Sequence, residues 1–231
     1  MGLHIAIHPV NPQPRLLRQV ADILREGGIA VLPSDSGYVI GCRIGDKDSL
    51  ERIRRLRGLG EDHYFTLMCR DLSEIATYAK VGTIEYRLIK AHTPGAYTFV
   101  LKATHEVPRR LQHPKRKTVG LRVPDHLIAQ GVLAEMGEPM LVTSLILPSD
   151  LSERYEEEAG LLRRRRGGGE TGETAFSDPE DIRDRLLGHI DVLVDGGFCD
   201  ETPTTVLDLS DEPFRVLRAG TAPLPPGFEP E

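Results

Sequence analysis

The sequence predicts an α/β domain built around a mixed sheet. Short apolar runs alternate along the chain with segments whose apolar residues recur at helical spacing, and no repeat period links them. Met140–Leu147 is almost wholly apolar, as a strand buried on both faces would be. Leu16, Leu17, Val20, Ile23 and Leu24 place a helix over Arg15–Glu26, and Gly27-Gly28 stops it. Ile29–Leu32 is a short strand. Pro33-Ser34-Asp35-Ser36-Gly37 breaks it, and Tyr38–Ile44 is the next. Asp48 or Ser49 caps a second helix through Leu50, Ile53 and Leu56. Phe65–Cys69 is strand-like. Helices follow over Leu72–Lys80 and Ile84–Ala91, before a turn at Thr93-Pro94-Gly95.

Tyr97–Ala103 and Thr118–Val123 are strands, and Ile128, Val132 and Met136 give Leu127–Met136 an apolar helical stripe. Asp178-Pro179 opens a helix to Leu187. Asp191–Val194, Thr204–Leu209 and Phe214–Arg218 close the set, which amounts to about eight strands and six helices. This single domain is expected over residues 1–221. Ser149–Ser177 is polar, with Glu156–Glu158 followed by Arg163–Arg166 and Gly167–Gly169, the pattern of a mobile surface insertion. Ala222–Glu231 is Pro-rich, the composition of an extended tail.

At 231 residues with 39 % apolar content the chain can bury a core, although aromatics are 5 % and Trp is absent. Cys42, Cys69 and Cys199 lie far apart with no C-x-x-C, which excludes a disulfide framework and a cysteine zinc site and fits a reducing cytosol. No apolar run reaches membrane-spanning length, and residues 1–9 carry no signal pattern, so a soluble cytoplasmic protein is expected. No Walker loop, dinucleotide G-x-G-x-x-G or G-x-S-x-G elbow is present. His4 and His8 stand at i, i+4 with no third ligand near, so no metal site is expected.

Charge is distributed unevenly. Lys+Arg total 29 and Asp+Glu 35, for a net −6, which excludes a uniformly basic nucleic-acid coat. Yet Lys102–Arg122 holds seven basic residues against Glu106 alone, +6, which leaves −12 on the remainder. Arg52, Arg54, Arg55 and Arg57 form a second cluster. Such runs are commonly solvated faces, but two of them beside strand ends in an acidic protein point to phosphate. The hydroxyl-rich corner Pro33–Tyr38 and the Thr143-Ser144 pair inside an apolar run can satisfy local backbone or face a small polar ligand.

From Ile5 to Ala219 the chain resembles the YrdC/YciO family. The matching stretches are HPVNPQPRL (His8–Leu16), PSDSGY (Pro33–Tyr38), FTLMCRDLSE (Phe65–Glu74), TPGAYTFVLK (Thr93–Lys102), VPRRL (Val107–Leu111), KRKTVGLRVP (Lys115–Pro124), GEPMLVTSL (Gly137–Leu145) and PTTVLDL (Pro203–Leu209). The resemblance implies a twisted mixed α/β sheet with flanking helices and a concave basic face. It also implies synthesis of threonylcarbamoyl-adenylate from L-threonine, bicarbonate and ATP, a step in threonylcarbamoyladenosine modification of transfer RNA, and binding of double-stranded RNA. Ser34, Ser36, Tyr38, Arg122 and Thr205 fall at the family's threonine-contacting positions. Arg55, Arg57, Thr143, Ser144 and Arg218 fall at its nucleotide-binding positions. Arg109, Arg110, Lys115, Arg116 and Lys117 would meet the RNA backbone. No tightly bound cofactor is implied, only Mg²⁺ accompanying ATP. The sequence departs from the pattern twice: Arg55 replaces the lysine of K-x-R, and Ile146 replaces the asparagine of S-x-N. A synthase, a hydrolase of threonylcarbamoyl-AMP and a non-catalytic RNA-binding module all remain compatible with the residues.

Overall fold

The computed structural model describes residues 2–60, 63–148 and 173–229. A ten-stranded mixed sheet runs through it, ordered β1-β10-β2-β3-β7-β4-β6-β5-β11-β12. These strands are β1 (Leu3–Ala6), β2 (Ala30–Ser34), β3 (Gly37–Arg43), β4 (Thr66–Met68), β5 (Tyr97–Lys102), β6 (Thr118–Arg122), β7 (Met140–Ser144), β10 (Val192–Asp195), β11 (Thr205–Asp208) and β12 (Arg215–Arg218). β8 (Ile146–Pro148) and β9 (Glu173–Ala175) form a separate antiparallel pair. The helices are α1 (Pro14–Arg25), α2 (Lys47–Arg57), α3 (Leu72–Tyr78), α4 (Thr83–Ala91), α5 (Leu127–Met136) and α6 (Pro179–Leu186), with a 3-10 turn at Arg109–Leu111. None of the described helices is long and apolar enough to cross a membrane.

Helices pack on both faces of the sheet. On one, α1 and α5 pack through Leu17, Val20, Leu24, Ile128 and Val132 against Ala30, Leu32, Val192 and Val194. On the other, Ile53 of α2, Ile75 of α3, Ile89 of α4 and Ile182 of α6 join Ile40, Leu67, Phe99 and Leu121. The mixed α/β sheet with flanking helices that the sequence predicts is what the chain forms.

Four local expectations differ from the structure. β1 is absent from the sequence reading: it is four residues long with only Ile5 buried, too short to show alternation. The predicted strand Met140–Leu147 breaks at Leu145, whose N–H still donates to Tyr38 O of β3, and the chain then leaves the main sheet as β8, which joins β9. Helix α2 is capped by neither Asp48 nor Ser49. Asp46 accepts from Ser49 N at 3.1 Å, and the Ser49 hydroxyl instead donates to Gly27 O at 2.6 Å. The C-terminal stretch is tied down rather than free. Thr205 Oγ1 donates to Ala222 O at 2.5 Å, the Tyr97 hydroxyl to Pro223 O at 2.6 Å, and Leu224 and Phe228 pack on the core. Residues 149–172 of the expected insertion lie outside the described residues, while Phe176 near its end is buried.

Two glycines fix the geometry around the site. Gly37 (φ +98°) closes the β2–β3 hairpin so tightly that a Cβ would meet Asp200 O at 2.6 Å. Gly58 (φ +64°) ends α2 immediately after Arg57. Asp46→Ala removes the cap at the other end of that helix. It is expected to lower stability by about 0.5–2 kcal/mol, read as an earlier urea midpoint with unchanged slope.

Candidate functional site

A cavity of about 510 Å³ opens over β3, β7, β4, β6, β5, β11 and β12. That volume is in the range of small-molecule sites. No residue of α1 or α5 lines it. Its floor includes Val39, Val142, Val100 and Val206, with Thr66 and Thr98 among them. Its charged lining among the described residues is Arg57, Arg116, Arg122 and Arg218, with no carboxylate among them. In a chain of net charge −6 this is a strong local concentration of positive potential.

Each arginine is anchored. Arg122, 4 % exposed at the end of β6, donates through Nη1 to Ser36 Oγ at 2.8 Å and through Nη2 to Asp35 Oδ1. Asp35 Oδ2 in turn accepts from Asp125 N at 2.9 Å. Arg122 Nε is buried with no partner among the described residues. Burial pulls the Arg122 pKa down and Asp35 pulls it back up, so the group stays a cation. Arg57 donates to Ile146 O and Thr143 Oγ1, each at 2.6 Å, and His63 Nε2 lies 3.0 Å from the same hydroxyl. Arg218 donates to Thr204 O at 3.0 Å and Thr204 Oγ1 at 3.1 Å, and burial lowers its pKa. Arg116 Nη2 donates to Asp208 Oδ2, and to Ser210 Oγ at 2.6 Å.

The structure therefore gathers Arg57, Thr143, Ser144, Arg122 and Arg218 around one space. It does not gather the rest. Arg55 is exposed while Arg57 is buried, because α2 stays regular through both and residues two apart on a helix point about 200° away from each other. Of the five threonine-site candidates, only Arg122 lines the cavity. Ser36 reaches it through Arg122. Ser34 donates to Gly37 O at 2.6 Å and holds the hairpin. Tyr38 is 2 % exposed and donates to Gly197 O at 2.7 Å, and burial raises its pKa far above the ordinary value. Thr205 is fully buried and fastens the C-terminal stretch. These hydroxyls satisfy backbone, the commoner fate of a buried hydroxyl. Of the basic run, Arg109, Arg110, Lys115 and Lys117 are exposed outside the cavity, and Arg116 lines it.

Asp35, His63, Tyr64, His113 and Thr66 escaped the sequence reading as site residues. Asp35 had a signal, a carboxylate at a hairpin tip between two serines. The others reach the cavity only through tertiary folding. His4, one of the two histidines set aside as metal ligands, bonds Asp195 Oδ2 at 3.1 Å.

The site defines a class before it defines a substrate: an α/β protein with an arginine-lined cavity at the open part of a mixed sheet. A family model named Sua5_yciO_yrdC and described as "Telomere recombination" matches residues 22–160. YciO of Escherichia coli K12 is 50 % identical over 226 residues, 98 % of this chain and 99 % of that protein. Its crystal structure superposes with a TM-score of 0.82 over 96 % of this chain and 98 % of that one, at 48 % identity. The chain thus belongs to the Sua5/YciO/YrdC family. More distantly, the threonylcarbamoyl-AMP synthase of Bos taurus is 27 % identical over 89 % of this chain and 68 % of that protein. The fold of P. abyssi Sua5, solved in complex with L-threonine, matches at a TM-score of 0.79 and 22 % identity, over 94 % of this chain and 57 % of that one.

His126, at the start of α5, adds a pH dependence. Its Nδ1 is buried without a partner, and burial lowers its pKa below 6.5, opposed by Asp35 and Asp125 and reinforced by Arg122. The folded protein then binds fewer protons there than the unfolded chain, so stability is complete above 6.5 and is lost as the pH falls below it. His126→Gln is expected to flatten that part of the curve in thermal melts taken on either side of 6.5.

Proposed function

We propose that the cavity binds L-threonine and an adenine nucleotide and supports formation of threonylcarbamoyl-adenylate. The observation that carries this reading is the lining itself: four anchored arginines, no carboxylate among the described residues, and a floor of valines and threonines. Such a surface favours a ligand with several anionic groups and an apolar body. Homology to threonylcarbamoyl-AMP synthases, and the L-threonine bound to P. abyssi Sua5, support the substrate class.

Arg122 suits the amino-acid carboxylate. Ser36 and Asp35 hold its guanidinium rigid, and an oxygen arriving at this corner would offset part of the roughly 1–3 kcal/mol cost of a buried N–H without an acceptor. Arg57 and Arg218, with Ser144 nearby, suit the nucleotide. Bicarbonate loses hydroxide to give CO₂, the threonine amine attacks that CO₂, and the hydroxide takes the amine proton, leaving the carbamate and water. A carbamate oxygen then attacks the α-phosphorus, and pyrophosphate leaves. No covalent protein intermediate is needed. The arginines offset the charge developing on the phosphate oxygens. Mg²⁺ would supply further charge neutralisation. The nucleotide phosphates and water would supply its oxygen ligands.

Labelled ATP incubated with threonine and bicarbonate is expected to release pyrophosphate, and omission of threonine to abolish the release. Consumption of added threonylcarbamoyl-adenylate without pyrophosphate formation would assign hydrolysis instead, and ligand binding with neither reaction a binding module. Ile146 lines the cavity where the family pattern has asparagine, and it forgoes a paired donor and acceptor. At about 1–3 kcal/mol per unmet group, Ile146→Asn is expected to tighten ATP binding by about one to two orders of magnitude in calorimetry. A folded variant with unchanged affinity would remove residue 146 from the nucleotide contact.

A second reading concerns duplex RNA. Arg109, Lys115 and Lys117 are exposed beside the cavity mouth, and their side chains make no hydrogen bond or ion pair among the described residues. Free cations of this kind suit a phosphate backbone read by shape. Replacing Lys115 and Lys117 by Ala is expected to reduce the salt dependence of duplex RNA binding by about one to two units of slope. An unchanged slope would remove RNA from this surface.

A further inference from the structure

Arg116 stands apart from the basic run that contains it. Lys115, Arg116 and Lys117 are all exposed, Arg116 with 40 % of its side chain, but of the three only Arg116 lines the cavity. Its Nη2 is fixed by Asp208 and Ser210. Asp208 has no oxygen to spare for another cation: Oδ2 takes Arg116, and Oδ1 accepts from Ser210 N at 3.1 Å and Ser210 Oγ at 2.7 Å. Asp208 is 5 % exposed, so it positions the guanidinium without presenting its own charge to the cavity. Arg116 Nε and Nη1 make no hydrogen bond among the described residues.

The segment before β6 is itself built to hold this side chain. His113 Nδ1 accepts from Lys115 N at 3.2 Å and Arg116 N at 3.1 Å, so the proton of the neutral ring sits on Nε2 and that nitrogen is a donor. The ring stacks on Tyr64 with centroids 5.0 Å apart, and both rings line the cavity. Lys117 follows in the left-handed region at φ 54°, and His113 N donates to Thr118 O at 2.8 Å to close the turn. A side chain meant for a solvated surface needs no such scaffold.

Position matters as much as charge. Arg122 ends β6, and Arg116 lies two residues before its start. The five residues Thr118–Arg122 alone span about 13 Å at roughly 3.3 Å per residue. The two guanidinium groups are held by different partners, Asp208 with Ser210 and Asp35 with Ser36, and so offer two separate anion positions.

We propose that Arg116, positioned by Asp208, Ser210 and the His113 turn, is a second anion-binding group of the cavity, which takes the terminal phosphates of a nucleoside polyphosphate whose partner carboxylate lies at Arg122. The proposal deepens the nucleotide reading above and rests on it. It also moves Arg116 from the RNA-facing surface into the cavity. It gives the cavity a preference that scales with phosphate number, because AMP lacks the groups that Arg116 would hold.

Calorimetry on the whole protein tests it, with inorganic pyrophosphate, ATP, AMP and L-threonine as the probes. Arg116→Gln is expected to weaken pyrophosphate and ATP by about tenfold or more, AMP by about threefold or less, and threonine not at all. Arg116→Lys, which keeps the charge and loses the two-point anchor, is expected to fall between. Melting curves on both variants report folding. Wild-type protein that binds ATP and pyrophosphate, with an Arg116→Gln variant that binds both equally well, would overturn the proposal and leave the nucleotide reading standing. An Arg116→Gln variant that loses duplex RNA alone would return the residue to the RNA surface. Wild-type protein that binds neither ATP nor pyrophosphate would overturn both readings together.

Discussion

Arg122 and Asp35 form an ion pair with 5 % and 11 % of their side chains exposed, and three separate parts of the chain meet on it. Asp35 sits at the tip of the β2–β3 hairpin, Arg122 at the end of β6, and Asp125 N, just before α5, donates to the second oxygen of Asp35. Taking two charges out of water costs several kcal/mol per ion, which their attraction offsets only where the remaining donors and acceptors are also used. Ser36 Oγ and Asp125 N use two of them, while Arg122 Nε is left without an acceptor among the described residues. Loss of one partner would strand the other, at a cost of about 3–5 kcal/mol. The hairpin must therefore be tight, and Gly37 and the Ser34 hydroxyl hold it so.

The same logic recurs at the cavity's other arginines, with different anchors. Arg57 uses a carbonyl and a threonine hydroxyl, and Arg218 a carbonyl and a hydroxyl of Thr204. Neutral acceptors hold a guanidinium in place without cancelling its charge. Arg122 and Arg116 also have carboxylate partners, Asp35 and Asp208.

Most of the fold was legible because periodicity reports burial directly. The helices from Leu16–Leu24 and Ile128–Met136 and the strands around Phe99 and Leu121 bury the faces their spacing indicates. β1 was not legible, since one buried residue makes no pattern. Neither was the break at Leu145, which remains buried while the chain changes sheets. Within the site, residue type indicated the arginines and the Thr143-Ser144 pair. It could not separate a hydroxyl that faces a cavity from one that satisfies backbone, and so Ser34, Tyr38 and Thr205 were grouped with Arg122. Helix geometry separates Arg55 from Arg57. The difference between Arg116 and its lysine neighbours depends on Asp208, 92 residues away in the chain.

A lining with four guanidinium groups has a consequence for any solution that contains small anions. Phosphate, sulfate and citrate feel the same potential that a nucleotide would, and binding of the intended ligand becomes an ion exchange. Affinities read in phosphate buffer will then understate those read in a buffer of bulky, weakly coordinating anions, and the difference should shrink as ionic strength rises and screening shortens the reach of the field. In a cell, where inorganic phosphate is abundant, the resting protein would be an anion-loaded one, and the selectivity that counts would be that of displacement.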